Sequence, residues 1–370
     1  MARNSANRGT TEAELIASAV EALRSILPQA WQLTVHYAPV REVEGRLLRP
    51  DAEITIEDPN GTVANLVVES KAFTAPRDVA RAAAFVARVQ GGQAKNAMLV
   101  TSFVSPATRA ELARHGMGWF DPTGNLRLAL ERPAVFIDRT GADRSEVRDP
   151  EDRTLKSLRG HAAARIVLAL CETGTPVGVR EAAARAGVSV ASGSRVLDLL
   201  DREAVIRRRS DGTVIAVRRR ALVTRWTADY QVMKANEVIT SVDPRGIEHA
   251  LKALPAVEPD AVLTGSAAAR AYLPADVTPV SPLVSLSLYT ADPIGLMDRL
   301  RLKRVERGSN VLVMRPYDDV VRERARTVGG LRCAPPAQVV ADLLTGPGRS
   351  TEEAEQLMEV FATVEEGWAS

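Results

Sequence analysis

Cysteine occurs only twice in the 370 residues, as Cys171 and Cys333, and histidine only four times. Two thiols so far apart build neither a disulfide framework nor the paired ligand spacing of a zinc site. Aromatic residues contribute only 4% of the chain. No run approaches the roughly 20 apolar residues that cross a bilayer, so a membrane partner is not expected. The opening stretch MARNSANRGTTEAE lacks the apolar centre of a signal peptide, and residues 1–12 read as a loose tail. A cytoplasmic protein is the expectation.

What is present is ordinary globular material, 45% hydrophobic and 25% charged, long enough for two or three domains. The net charge of +2 conceals an uneven distribution. Residues 153–225 hold fifteen Lys and Arg against six Asp and Glu, a local net of +9, which leaves −7 for the remainder. A basic middle between acidic flanks points to a polyanionic partner for that segment.

The pattern divides into segments, all α/β in type except the middle one. Residues 11–27 carry Leu15, Ala19, Leu23 and Leu27 at helical spacing. Short β-rich runs follow (WQLTVHYAPV, AEITI, NLVVES, NAMLVTS, AVFID), separated by the helix-like PRDVARAAAFVARVQ and PATRAELARHG. Alternation of this kind predicts an α/β sandwich over residues 13–138. A polar stretch at 139–157 reads as a linker. Residues 158–225 form a compact second unit, and 230–370 a third, with helical IEHALKAL, strands AVLTGS and LVSLSLYT, and helical PAQVVADLL.

The middle unit has the strongest signal. HAAARIVLALCETG is an amphipathic helix, PVGVREAAARAG a short second one closed by Gly187, and the third follows with Val196, Leu199 and Leu200 facing inward. IRRRSDGTVIAVRRR then reads as two strands around Asp211-Gly212, where glycine admits the positive φ of a tight hairpin. Helix, helix, turn, helix and β-wing make a winged helix-turn-helix. Ser189, Ser192 and Ser194 at the start of the third helix would let its backbone approach base edges, and Arg195 would reach guanine or phosphate. Arg207, Arg208 and Arg209 on one wing strand, with Arg218, Arg219 and Arg220 on the other, would bracket the phosphates of double-stranded DNA. No cofactor is needed for this binding. Winged helices commonly pair on two-fold sites, so a homodimer is expected.

In the first unit, Asp58-Pro59-Asn60-Gly61 predicts a turn between AEITI and NLVVESKAF. Reflection about its centre sets Asp51 opposite residue 68, one position from Glu69. Glu69 and Lys71 leave the same face of their strand, while Leu66, Val68 and Ala72 point into a core. Two carboxylates and an ammonium brought together suit phosphodiester hydrolysis: Asp51 and Glu69 as ligands of Mg²⁺, Lys71 orienting the attacking water. A charged surface hairpin is the plainer alternative. Pro50-Asp51 with Glu69-Ser70-Lys71 resembles the PD-(D/E)xK nuclease superfamily. The resemblance implies a restriction-endonuclease-like fold, catalytic Asp51, Glu69 and Lys71, and an additional ligand at Glu14 or Glu21.

A second resemblance lies in AMLVTSFVSPATRAELARHGMGWFDPTGNLRL. Its Gly116, Gly118, Trp119, Phe120, Asp121, Gly124 and Asn125 resemble a run found in bacterial AbiEi-family antitoxins and related regulators. From the residues alone, Asp121-Pro122 and Gly124 predict a turn, and Trp119 and Phe120 core positions. The closing CAPPAQVVADLLTGPGRSTEEAEQLMEVF also resembles the end of such an antitoxin domain. Gly265-Ser266 at a strand-to-helix junction resembles the opening of nucleotidyltransferase folds, or else is a plain helix cap. The next strand offers Val284, Ser285 and Ser287 and no acid before Asp292. A catalytically inactive nucleotidyltransferase-like domain is therefore expected. Together these imply a DNA-binding transcription regulator of antitoxin type. The alternatives are an Mg²⁺-dependent endonuclease targeted by its winged helix, and a protein-binding antitoxin that docks a partner toxin.

Overall fold

The computed structural model describes residues 11–92, 94–143, 155–348 and 350–369. The tail at 1–10 and most of the expected linker, 144–154, lie outside them. The chain divides into two compact units. One comprises residues 1–153 with 202–204; the other comprises 154–201 and 205–370.

The first unit opens with α1 (Glu12–Ile26), β1 (Gln32–Tyr37), a short hairpin of β2 (Arg41–Val43) and β3 (Arg46–Leu48), then β4 (Ala52–Glu57) and β5 (Val63–Lys71). It continues with α2 (Pro76–Val89), β6 (Ala97–Thr101), α3 (Pro106–Arg114), β7 (Gly118–Phe120), β8 (Leu126–Leu130) and β9 (Val135–Arg139). The seven-stranded sheet runs β1-β4-β5-β6-β7-β8-β9, parallel only across β5, β6 and β7. Alternation along β5 decides its two faces. Ala64, Leu66 and Val68 pack with Leu15, Ala19 and Leu23 of α1. Val67 joins Val79 and Val86 of α2 and Leu112 of α3. The expected α/β sandwich is therefore three layers, helix, sheet and helices.

The aromatic-glycine run is a structural knot. Asp121 and Asn125 are buried. Asp121 accepts from the Val104 and Thr123 amides, both at 2.8 Å, and from Asn125 Nδ2 at 2.8 Å. Asn125 Oδ1 in turn accepts from Arg109 at 2.9 Å and from the Gly141 amide at 2.8 Å. Trp119 and Phe120 are core residues, as their sequence context suggests. Gly118 has no alternative, because a Cβ there would lie 2.4 Å from the Arg127 carbonyl oxygen across the β7–β8 pair.

The second unit begins with α4 (His161–Glu172), α5 (Val179–Ala186), α6 (Val190–Arg202), β10 (Ile206–Arg208) and β11 (Val214–Val217). Next come α7 (Arg219–Thr227), α8 (Val232–Ala235), β12 (Glu237–Val242), α9 (Ile247–Val257), β13 (Val262–Thr264), α10 (Gly265–Tyr272), β14 (Leu286–Tyr289) and α11 (Pro293–Leu300). It closes with β15 (Lys303–Arg304), β16 (Val311–Arg315), α12 (Val320–Glu323), β17 (Arg326–Val328), β18 (Leu331–Cys333), α13 (Pro336–Leu344) and α14 (Ser350–Val364). The helices α4 to α6 and the β10–β11 hairpin have the order of a winged helix-turn-helix, and Val177 adds a bridge to Val214 beside the wing. The following sheet is mixed, in the order β15-β12-β16-β14-β13-β18-β17.

One core runs from Leu158 to Trp368, so residues 158–225 and 230–370 pack as a single unit. The join is polar as well as apolar. The buried carboxylate of Asp342 on α13 accepts from Thr264 Oγ1 (2.5 Å), Tyr230 (2.6 Å), Gln338 (2.7 Å) and Tyr289 (2.8 Å). Burial raises its pKa to about 6 against those four donors. A buried carboxylate is tolerated because every such bond favours it. Among the described residues no helix is long and apolar enough to cross a membrane.

Candidate nucleic-acid interface

The third helix of the winged unit, α6, turns its apolar stripe inward: Val196, Leu197, Leu199 and Leu200 are buried, as expected. The Ser189 hydroxyl accepts from the Ser192 amide at 3.2 Å and donates to the Ser192 hydroxyl at 3.0 Å. Arg195, exposed, donates to the Ser192 hydroxyl at 3.4 Å. Ser189 and Ser192 therefore shape the helix start, and Ser194 is half-buried. The exposed start of the helix also includes Val190, at 48% exposure, and Ala191. Neither carries a charge or a hydroxyl that would single it out in the sequence. Val190 aligns with Gly193, Leu197 and Leu200 and so reads as core; its exposure is a tertiary outcome.

The wing corrects the arginine assignment. Asp211-Gly212 does form the hairpin turn, with Gly212 at φ +85° and its amide donating to the Arg209 carbonyl at 2.9 Å. Arg207 and Arg209 are exposed there. Arg208 is not. Its side chain is 13% exposed and donates to Asp198 of α6 at 2.6 Å and to the Gly212 carbonyl at 2.9 Å. Arg208 thus holds the wing to the helix and offsets the charge of Asp198.

Arg218, Arg219 and Arg220 do not lie on a wing strand at all. The second strand ends at Val217, and Arg218 leads into α7. Arg219, 16% exposed, pairs with Glu365 at 2.9 Å, and Arg220 pairs with Glu355 of α14. Three arginines in succession continue a strand only if the backbone stays extended, and here it turns helical to bury Leu222, Val223 and Trp226. The exposed arginines of the expected surface are therefore Arg195, Arg207 and Arg209, with Arg180 of α5 also exposed.

In the first unit the turn forms as predicted. Asp58 Oδ1 accepts from the Asn60 and Thr62 amides, each at 2.8 Å. Its register differs by one residue, because Asp58 closes the loop on Thr62 and centres it on Asn60. Ala52 pairs with Val68, which sets Asp51 across from Glu69 rather than from residue 68. Asp51 Oδ2 accepts from the Ser70 amide at 2.8 Å. One oxygen of Glu69 is buried without a hydrogen-bond partner. Burial, and then the neighbouring Asp51 charge, push the Glu69 carboxyl up to about 7, with Lys71 opposing.

Glu53, another acid on β4, is held by Arg41. Glu14 closes a capping box with Thr11, and Glu21 is exposed. The acid of α1 that does act on Glu69 is Glu12, whose charge adds to the upward shift. Its position as the first residue of the helix carried no distinguishing signal in the sequence. Among the described residues no three His, Cys, Asp or Glu side chains are grouped closely enough to hold a metal.

The strand-to-helix junction at Gly265 is neither a plain cap nor a paired-acid site. Ser266 donates to Glu353 of α14 at 2.6 Å, and Asp292 caps α11 by accepting from the Gly295 amide at 3.0 Å.

Residues 215–362 match the AbiEi_2 family. It is described as "Transcriptional regulator, AbiEi antitoxin, Type IV TA system". The AbiEi_2 match takes in all but the first residue of β11, the whole mixed sheet and nearly all of α14. It includes the whole closing antitoxin-like run and leaves out the aromatic-glycine run of the first unit. No curated protein and no solved structure matches the chain.

Proposed function

We propose that this chain is a DNA-binding transcription regulator of the AbiEi antitoxin type, reading duplex DNA through α6 and the wing. The single observation that carries the reading is the exposed start of α6, with Val190, Ala191 and Arg195, in the same winged unit as Arg207 and Arg209. Arg195 would select bases, Val190 would meet a thymine methyl, and the wing arginines would hold phosphates without regard to sequence. The antitoxin description of residues 215–362 supports the regulatory role. The C-terminal sheet would be a catalytically silent nucleotidyltransferase-like platform, suited to docking a partner toxin. Fluorescence anisotropy with the inverted repeats upstream of its own gene tests the reading. Metal-free binding well above that to random duplex is expected, and equal binding to both would end it.

One observation favours a second reading. One oxygen of Glu69 is buried without a hydrogen-bond partner, and the Asp51 charge adds to the burial that raises its pKa, an arrangement that a cation would relieve. Two carboxylates fit a single hydrated Mg²⁺, which takes the rest of its octahedron from water. Such an ion would polarise a phosphoryl oxygen, and Lys71 would offset charge at phosphorus. On this reading the first unit is an endonuclease domain. Mg²⁺-dependent nicking of plasmid DNA that disappears in Asp51→Ala and Glu69→Ala is the outcome it requires.

A further inference from the structure

The second unit contains a cavity of about 570 Å³ that the DNA reading leaves unused. Its volume lies within the range of small-molecule sites. Three aromatic residues line its inner side. Trp226 and Tyr230 stack with centroids 4.8 Å apart, and Tyr317 meets Tyr230 edge-on at 5.4 Å. Around them stand Arg159, His161, Gln231 and Lys234. The side chains of Arg159 and His161 are 78% and 71% exposed, and Lys234 is exposed as well.

The acid among the lining residues is Asp229, and it is already engaged. It accepts from Arg225 and from the Leu158 amide, both at 2.8 Å, and from Ser157 at 3.0 Å. Arg159 lies 3.8 Å from it. His161 Nδ1 is within 2.8 Å of Asp318. With Arg225 matched to Asp229, Arg159 and Lys234 leave the mouth cationic. Trp226 and Tyr230 are almost fully buried and show the cavity only their edges, while Tyr317 is half-buried. An aromatic floor with cations at the mouth suits a flat ring that carries a negative group: the ring packs against Tyr317 and those edges, and the anion takes charge-assisted hydrogen bonds.

We propose that this cavity binds a planar aromatic anion, a ring bearing a carboxylate or a phosphate, as the effector of the regulator. Its walls come from three places. Leu158 to Ala164 include the start of α4 in the winged helix. Trp226 to Ala235 form the connection through α7 and α8. Tyr317 lies between β16 and α12. Occupancy therefore biases how the winged helix is seated on the sheet that follows, and so its affinity for DNA. The regulatory half of this proposal rests on the DNA reading above; the binding half does not.

The test is calorimetric titration of the full chain, without DNA, with 1-naphthoate, phenyl phosphate, 1-naphthamide and inorganic phosphate. Saturable binding of naphthoate or phenyl phosphate is expected, with the preferred one identifying the anion. The neutral amide and free phosphate should bind at least about tenfold more weakly, as loss of a charged hydrogen bond or of the ring implies. The double variant Arg159→Gln, Lys234→Gln removes only exposed charge and should weaken the aromatic anion by about tenfold or more. Ala235→Trp, at an exposed position, should block the mouth and abolish binding. Circular dichroism checks that both variants fold. No binding of either aromatic anion overturns the site, as does equal binding of naphthoate and naphthamide, or variants that bind like the wild type. If naphthoate binds and duplex DNA does not, the site stands and the DNA reading falls. If both bind and naphthoate leaves DNA affinity unchanged, the effector role is overturned.

Discussion

Six arginines bracket the wing hairpin in sequence, yet the structure separates them into contacts with different consequences. Arg207 and Arg209 are exposed on the hairpin, while Arg219 and Arg220 pair with Glu365 and Glu355. Each phosphate contact adds about 0.9 to the slope of log affinity against log salt. Replacing Arg207 and Arg209 with alanine should therefore lower that slope by about 1.8. A fourfold rise in salt spans about 0.6 of a decade, so the wild type should lose roughly tenfold more affinity across it than the double variant. The complementary variant, Arg219→Ala with Arg220→Ala, should leave the slope intact. It should instead lower thermal stability by about 1 kcal/mol, through lost packing and ion pairing. The assay is fluorescence anisotropy on one duplex over a salt series, with melting curves for each protein. Two results would refute the reasoning: an unchanged slope in Arg207→Ala, Arg209→Ala, or an equal fall in the Arg219, Arg220 variant.

Other expectations follow from single sites. Glu69 titrates near 7 instead of 4.5, so the folded state holds its proton where the unfolded chain has released it. Stability is then undiminished below pH 4.5 and falls as pH rises to about 7. At 1.36 kcal/mol per pH unit, a carboxyl moved from 4.5 to about 7 loses at most about 3.4 kcal/mol, and solvent screening of a half-buried group reduces it to about 1–2 kcal/mol. Glu69→Gln should therefore raise stability more at pH 8 than at pH 4 in urea unfolding, and an equal gain at both would contradict the assignment. Gly118→Ala drives a Cβ into the Arg127 carbonyl and should cost the first unit about 1–3 kcal/mol, read from its melting transition. Tyr230→Phe removes a donor to Asp342 and an acceptor for Asn236 and Gln338. With those groups left buried it should cost about 1–3 kcal/mol by chemical denaturation; a neutral effect would mean the network is not needed at the join.

Much of the local structure was legible because it rests on short-range rules. The stripe on α6, the left-handed C-cap at Gly187, the Asp211-Gly212 turn and the Asp58 turn all depend on residues within a few positions of one another. Hydrophobic alternation placed Leu66 and Val68 on one face of β5, and the structure packs them against α1. The same rules led to error where backbone conformation was decided at a distance. By local pattern Arg218 to Arg220 continue the second wing strand, but burial of Leu222 and Trp226 pulls the chain into α7 and delivers two of these arginines to acids near the C-terminus.

The sequence by itself determined the helices α1 and α4 to α6, the strands β4 and β5, where the winged hairpin turns, and that positive charge gathers in the middle of the chain. Only the tertiary structure decided which of those charges meet solvent, that Asp51 stands across from Glu69 through a loop centred on Asn60, and that Glu12 acts on that pair. It also decided that the winged helix and the sheet after it share one core, with a cavity lined on its inner side by Trp226, Tyr230 and Tyr317. Turns and caps are set by neighbours in sequence. Exposure, ion pairing and cavities are set by groups up to 158 positions apart, as Arg165 and Glu323 are, and no local pattern encodes which partner a long charged side chain will find.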